Sequence, residues 1–146
     1  MYFVDREKIE ATLVYLDSRL QLISGKETWE NAFELLALER AAHMIIESIL
    51  DTGNAMIDGF IMRDPGSYED IIDILLDEKV VPVDHEGSLK EVVSLRKVLV
   101  QQYLDINHSE LSAILHKNMG QLSAFSTHIR RYLENELGPV SAFKPK

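Results

Sequence analysis

Apolar residues recur at steps of three and four along most of this chain, the period of a helix with one buried face. Ile9, Leu13, Leu16, Leu20 and Ile23 make the first such stripe and predict a helix over residues 5–24. Ser24-Gly25 stops it, the glycine suiting the left-handed residue that often follows a helix. A second helix is expected from a Thr28 cap to about Arg63, ahead of Pro65-Gly66, with Phe33, Leu36, Ile45, Ile49, Met56 and Phe60 among its apolar positions. At ~1.5 Å per residue it would run about 50 Å, and Gly53 or Gly59 is where it would bend.

Ser67 followed by Asp70 resembles a capping box, opening a short helix that bears Ile71, Ile72, Leu75 and Leu76. Val80-Val81-Pro82-Val83 is apolar but holds a proline and runs straight into Asp84-His85-Glu86, so it reads as a loop rather than a strand. Ser88 with Glu91 reads as a second box, starting a helix that reaches about Leu104. Asn107 with Glu110 then caps a last helix carrying Leu111, Ile114, Leu115, Leu122, Phe125, Ile129 and Leu133, up to Gly138-Pro139. No segment alternates as a strand does, and no repeat is present. The expected fold is all-α, an antiparallel up-down bundle of four main helices plus one short helix. It is read as a single domain over residues 1–138 with a loose tail over 139–146.

The helix that contains Arg96 interrupts its own stripe. Val92, Leu99 and Tyr103 fall on one face with Arg96 among them, because a seven-residue step returns to within roughly 20° of its starting direction. Arg96 and Tyr103 are therefore expected to look the same way. A guanidinium keeps its proton and is costly to bury alone, so this position calls for an anionic partner or an anionic ligand. The simpler alternative is a stem packed on its neighbours with the head in water.

Charge narrows the functional choices. A net charge of −9 argues against a broad nucleic-acid surface, since phosphate binding draws on clustered Lys and Arg, but it leaves room for a small basic cleft. Lys117, Arg130, Arg131, Lys144 and Lys146 gather towards the end, whereas residues 64–86 are strongly acidic. The absence of cysteine excludes disulfides and a thiol nucleophile. No apolar run approaches the ~20 residues of a membrane span, and Met1-Tyr2-Phe3-Val4-Asp5-Arg6 lacks the basic start and apolar middle of a signal peptide. A cytoplasmic location and no membrane partner are expected. Phosphate-loop and dinucleotide fingerprints are missing and no serine sits in a nucleophile elbow, so no cofactor is expected.

Arg96, four intervening residues, position 101, one residue more and then Tyr103 together resemble the motif of the HepT-like proteins of the HEPN superfamily. The segment Ala37-Leu38-Glu39-Arg40-Ala41-Ala42, running on through Ile46-Glu47-Ser48-Ile49-Leu50-Asp51, is similar to that family's long second helix. Ser67-Tyr68 entering the next helix fits too, so the resemblance spans residues 3–136. It implies a homodimer in which arginine and histidine of two subunits face each other across one composite cleft and cut RNA without a metal. Arginine would hold the scissile phosphate and histidine would move the proton, as in the ribonuclease toxin paired with an MNT-type nucleotidyltransferase antitoxin.

This chain departs from that motif at two places. Gln101 stands where active members carry the histidine, and Lys97 stands where an asparagine commonly follows the arginine. An amide has no pKa near neutrality, so Gln101 cannot serve as general acid or base, and losing such a group forfeits about 10²–10⁴-fold in rate. The resemblance then implies RNA or nucleotide binding with weak or no cleavage in a composite cleft around Arg96, Gln101 and Tyr103; Lys97, and His108 near the break after this helix as a substitute histidine, are further cleft candidates. Tyr103 matches the tyrosine that receives adenylyl groups from the antitoxin.

Two other classes of function compete with this one. Arg96 and Tyr103 also suit a non-catalytic dimeric module that contacts a protein partner. Glu39, His43 and Glu47, at steps of four on one side of the second helix, are the residue types with which helical bundles hold metals; no matching carboxylates or Glu-x-x-His repeat elsewhere completes such a site, so no metal ligands are assigned.

Overall fold

The computed structural model describes residues 2–139, so the expected loose tail lies, Pro139 excepted, outside the described residues. Six α-helices and two 3₁₀ turns are present among them: α1 (Arg6–Ser24), α2 (Ala32–Gly59), α3 (Tyr68–Asp77), a turn at Val83–His85, α4 (Glu86–Gln101), a turn at Tyr103–Asp105, α5 (His108–Lys117) and α6 (Met119–Leu137). The all-α expectation holds. A single apolar cluster takes residues from every helix, with Leu13, Leu16, Ile45, Ile49, Ile72, Val92, Leu115 and Phe125 all at most 1 % exposed.

Where the helices begin depends on which group satisfies the first N–H donors. Asp5 caps α1 by accepting from the Lys8 N–H, and Asn107 caps α5 by accepting from the Glu110 N–H. Ser67 accepts from the Asp70 N–H to cap α3, but the expected box is not completed, because the Asp70 carboxylate accepts from the Gly66 N–H and from Arg63 instead. The second helix begins later than Thr28, because Asn31 makes a complete capping box: its side chain accepts from the Glu34 N–H at 2.9 Å while Glu34 accepts from the Asn31 N–H at 3.3 Å. Ser88 does not cap α4. The chain enters α4 directly from the 3₁₀ turn, whose Pro82 and Val83 carbonyls accept from the His85 and Glu86 N–H groups, so no side-chain cap is needed.

The ends also differ from the expected ones. Gly25 closes α1 at φ −82, in the right-handed region, whereas Gly138 follows α6 at φ 82 and does use the conformation that favours glycine. α2 stops at Gly59 rather than near Arg63, and Ile61 turns the chain at φ 55. Gly53 sits inside α2 for a packing reason, since a Cβ there would lie 2.4 Å from Ile71 Cγ2 of α3. The expected single last helix is two helices. They meet at Asn118, which is 3 % exposed and whose Nδ2 donates to Glu91 Oε1 at 2.8 Å and to the Ile114 carbonyl at 2.9 Å.

Antiparallel neighbours are pinned by side chains at both ends. Arg6 donates to the Gly138 carbonyl at 2.8 Å, Arg130 makes two bonds to Glu10 at 2.8 and 2.9 Å, and Ser126 donates to Asp17 at 2.7 Å, so α1 and α6 run in opposite directions. Arg130, one of the cations gathered near the end of the sequence, is thereby used within the fold. α3 and α4 are paired likewise, by Lys90 with Asp73 at 2.6 Å at one end and Arg96 against Tyr68 at the other.

Candidate active-site face

Position 96 on α4 faces the middle of α2, and the anionic partner that its charge requires is Glu47. Arg96 Nε donates to Glu47 Oε1 at 2.7 Å, with the two side chains 24 % and 27 % exposed. That hydrogen bond is the first cause holding the guanidinium above its ordinary pKa. The guanidinium carbon also lies 4.3 Å from the centroid of the Tyr68 ring, a cation–π distance. Glu47 takes only Nε, and among the described residues neither Nη nitrogen has a hydrogen-bond acceptor. A guanidinium fixed from one side, with donors left on the other, is arranged to receive a planar or tetrahedral oxyanion.

The same α2 face carries two histidine–carboxylate pairs. His43 Nε2 lies 3.6 Å from Glu47 Oε1, the oxygen that Arg96 also engages. His108, the first residue of α5, places Nε2 2.7 Å from Glu39 Oε2. His108 is therefore on another helix from Arg96, as the sequence indicates, yet the fold brings both to one α2 stripe. No group of three or more His, Asp or Glu residues able to hold a metal is found among the described residues.

The remaining motif residues are spread out. α4 ends at Gln101, and Tyr103 lies beyond it in the 3₁₀ turn, 62 % exposed, so Arg96 and Tyr103 do not share a helical face. The seven-residue argument fails because the helix stops before its seventh step is complete. The Gln102 N–H reaches both the Lys97 and Val98 carbonyls, and Gln102 adopts φ −114, ψ 33, outside the helix. Gln101 is exposed and lies five residues after Arg96, which turns it about 140° around the axis. Lys97 is exposed as well.

Glu47, Tyr68 and His43 belong to the Arg96 site although the motif does not contain them. The four-residue steps on α2 were visible in the sequence and suggested ligands; only the packing of α3 and α4 on α2 assigns Glu47 to Arg96 and puts Tyr68 beneath it.

The family model described as Ribonuclease HepT-like matches residues 9–129. The chain is 54 % identical over 144 residues to the Bacillus subtilis (strain 168) protein named "Putative RNase YutE", covering 99 % of this chain and 100 % of that one. A solved structure of YutE, described as a cytosolic protein of unknown function, superimposes with a TM-score of 0.94 over 98 % of this chain and 100 % of that one. A tri-AMPylated Shewanella oneidensis HEPN toxin, solved in complex with an MNT antitoxin, shares the fold with a TM-score of 0.72 at 19 % identity, over 90 % of this chain and 99 % of that one. A toxin-antitoxin structure with AMP-PNP does so with a TM-score of 0.72 at 17 % identity, over 85 % and 96 % of the two chains. With its family model spanning most of the chain and a relative this similar along its whole length, the protein belongs to the HepT-like ribonuclease family.

Proposed function

We propose that the face around Arg96 binds single-stranded or looped RNA, with the guanidinium on a backbone phosphate and the half-exposed Tyr68 ring offering a stacking surface to a base. The observation that carries this reading is Arg96 itself, held by Glu47 through Nε with both Nη nitrogens lacking an acceptor among the described residues. Gln101 cannot move a proton, so cleavage through the motif position is weak or missing. In an assay containing EDTA, Arg96→Ala is expected to weaken RNA binding by about tenfold or more, the cost of losing a charge-assisted hydrogen-bonded contact. Unchanged affinity would turn this face into a protein-interaction surface instead.

The cleft is read as composite, built by two copies of the chain. Leu36, His43 and Glu47 share one side of α2 by steps of seven and four, and Val100 follows Arg96 by one turn of α4. Leu36 and Val100 are 61 % and 37 % exposed, and Phe33 and Leu104, three and four residues from them along the chain, 85 % and 91 %, which leaves apolar side chains on these elements for a partner to cover. The neighbouring toxin solved with its MNT antitoxin supports a nucleotidyltransferase partner here, with exposed Tyr103 as the acceptor of adenylyl groups. Native mass spectrometry reads both proposals, expecting a dimer of 16.7 kDa chains and, after incubation with ATP and such a partner, an adenylyl addition on Tyr103. A monomer removes the composite cleft, and an unmodified Tyr103 removes the modification. A cytoplasmic location goes with this reading; no helix among the described residues is long and apolar enough to cross a membrane.

A further inference from the structure

We infer that His43 of α2 is the proton-transfer group of this site, taking the role that Gln101 cannot fill; the inference rests on RNA binding at Arg96. Its support is geometric. Glu47 Oε1 holds Arg96 Nε at 2.7 Å and stands 3.6 Å from His43 Nε2, so the phosphate anchor and an imidazole share one carboxylate oxygen. The His43 side chain is 31 % exposed, and among the described residues neither of its ring nitrogens has a hydrogen-bond partner within 3.5 Å. Nε2 faces the Glu47 carboxylate, which leaves Nδ1 as the ring nitrogen open to a substrate proton.

Axial spacing on α2 decides between the two histidines of this face. His43 is four residues from Glu47, about 6 Å along the helix, whereas the Glu39 that holds His108 is eight residues away, about 12 Å. A proton carrier must come within hydrogen-bond reach of a 2′-hydroxyl whose neighbouring phosphate sits on Arg96. His43 is the nearer of the two within one chain, its Nε2 standing 3.6 Å from the oxygen that holds Arg96, and His108 is paired a further turn away.

The reaction balances without a metal or a redox partner. His43 Nδ1 takes the proton of the 2′-hydroxyl, the 2′-oxygen forms a bond to the adjacent phosphorus, and the bond from phosphorus to the 5′-oxygen breaks. The leaving 5′-oxygen takes a proton from water, and His43 returns its own to solvent. The products are a 2′,3′-cyclic phosphate and a 5′-hydroxyl. Arg96 offers its Nη donors to the phosphate oxygens as charge builds there, and Glu47 offsets the imidazolium that forms.

The test uses the full chain, a labelled single-stranded RNA and excess EDTA, on the native protein, His43→Gln and His116→Gln. His116 contacts the Lys26 carbonyl and lies outside this site, so its variant controls for histidine loss in general. Native protein and His116→Gln should cut slowly, leave a 2′,3′-cyclic phosphate and spare RNA with a 2′-deoxy sugar. His43→Gln should cut at least about 10²-fold more slowly with native RNA affinity and native melting temperature. Cleavage by His43→Gln at the native rate overturns the inference. A native protein that binds RNA without cutting it also overturns the inference and leaves the binding reading intact, whereas one that neither binds nor cuts overturns both.

Discussion

Exchange of Gln101 for histidine is expected to raise EDTA-resistant cleavage of single-stranded RNA by about 10²–10⁴-fold over the native chain, and a second change, Arg96→Ala, should abolish the gain. The position tolerates the change, being the exposed last residue of α4 with little packing to lose. His43 takes the 2′-hydroxyl proton but leaves protonation of the departing 5′-oxygen to water, and an imidazole at 101 supplies that second group, one that gains and loses a proton near neutrality. Because Gln101 is turned about 140° from Arg96 on its own helix, the new histidine would serve the Arg96 of a second copy across the dimer. The gain should therefore fall as the dimer is diluted to monomer. Gel-resolved cleavage rates across protein concentrations measure this, and a Gln101→His protein that is dimeric, binds RNA and cuts no faster would place the scissile phosphate away from the end of α4.

Phe125→Ala carries the largest expected effect on stability, a loss of about 3–5 kcal/mol. Phe125 is 1 % exposed and is the largest fully buried side chain among the described residues, on the face of α6 that closes the core. For a chain of this length that loss corresponds to a fall of about 10 °C or more in melting temperature. The Arg96 face is made by α2, α3 and α4, so RNA binding below the new transition should keep its native affinity. Thermal melts followed by circular dichroism measure the first part. A loss below about 1 kcal/mol would mean that the surrounding leucines and isoleucines collapse into the space.

Both predictions depend on features with different visibility in the sequence. Phe125 could be placed in the core from the helical stripe it shares with Leu122, Ile129 and Leu133, because a buried face writes a period of three to four residues into the chain. The caps at Ser67 and Asn107 were equally legible, since a side-chain oxygen and an N–H two or three residues ahead suffice to make them. Ser88 misled because its competitor, a 3₁₀ turn ending at His85, leaves no marked residue pattern. The break at Asn118 was hidden for a related reason. The apolar stripe continues across it, and the residue at the break is held by bonds to the Ile114 carbonyl and, over a long range, to Glu91 of α4.

The site divides along the same line. Arg96 was legible as a cation on an apolar face in need of an anion, and Glu39, His43 and Glu47 were legible as one stripe. Neither pattern states that Glu47 is the partner of Arg96, because the two are 49 residues apart and meet only through the packing of α2 on α4. Phe33 and Leu36 stand among the apolar positions of the second helix yet are exposed, since periodicity reports an apolar face without saying whether the protein or a second molecule covers it.

Binding of a fluorescein-labelled single-stranded RNA in EDTA, followed by anisotropy at several salt concentrations for the native protein and Arg96→Ala, tests most directly the claim that Arg96 anchors a phosphate. The account predicts a dissociation constant raised about tenfold or more and a salt dependence shallower by about one unit of slope, as one phosphate contact is lost. Equal affinity and equal slope in the two proteins would contradict it.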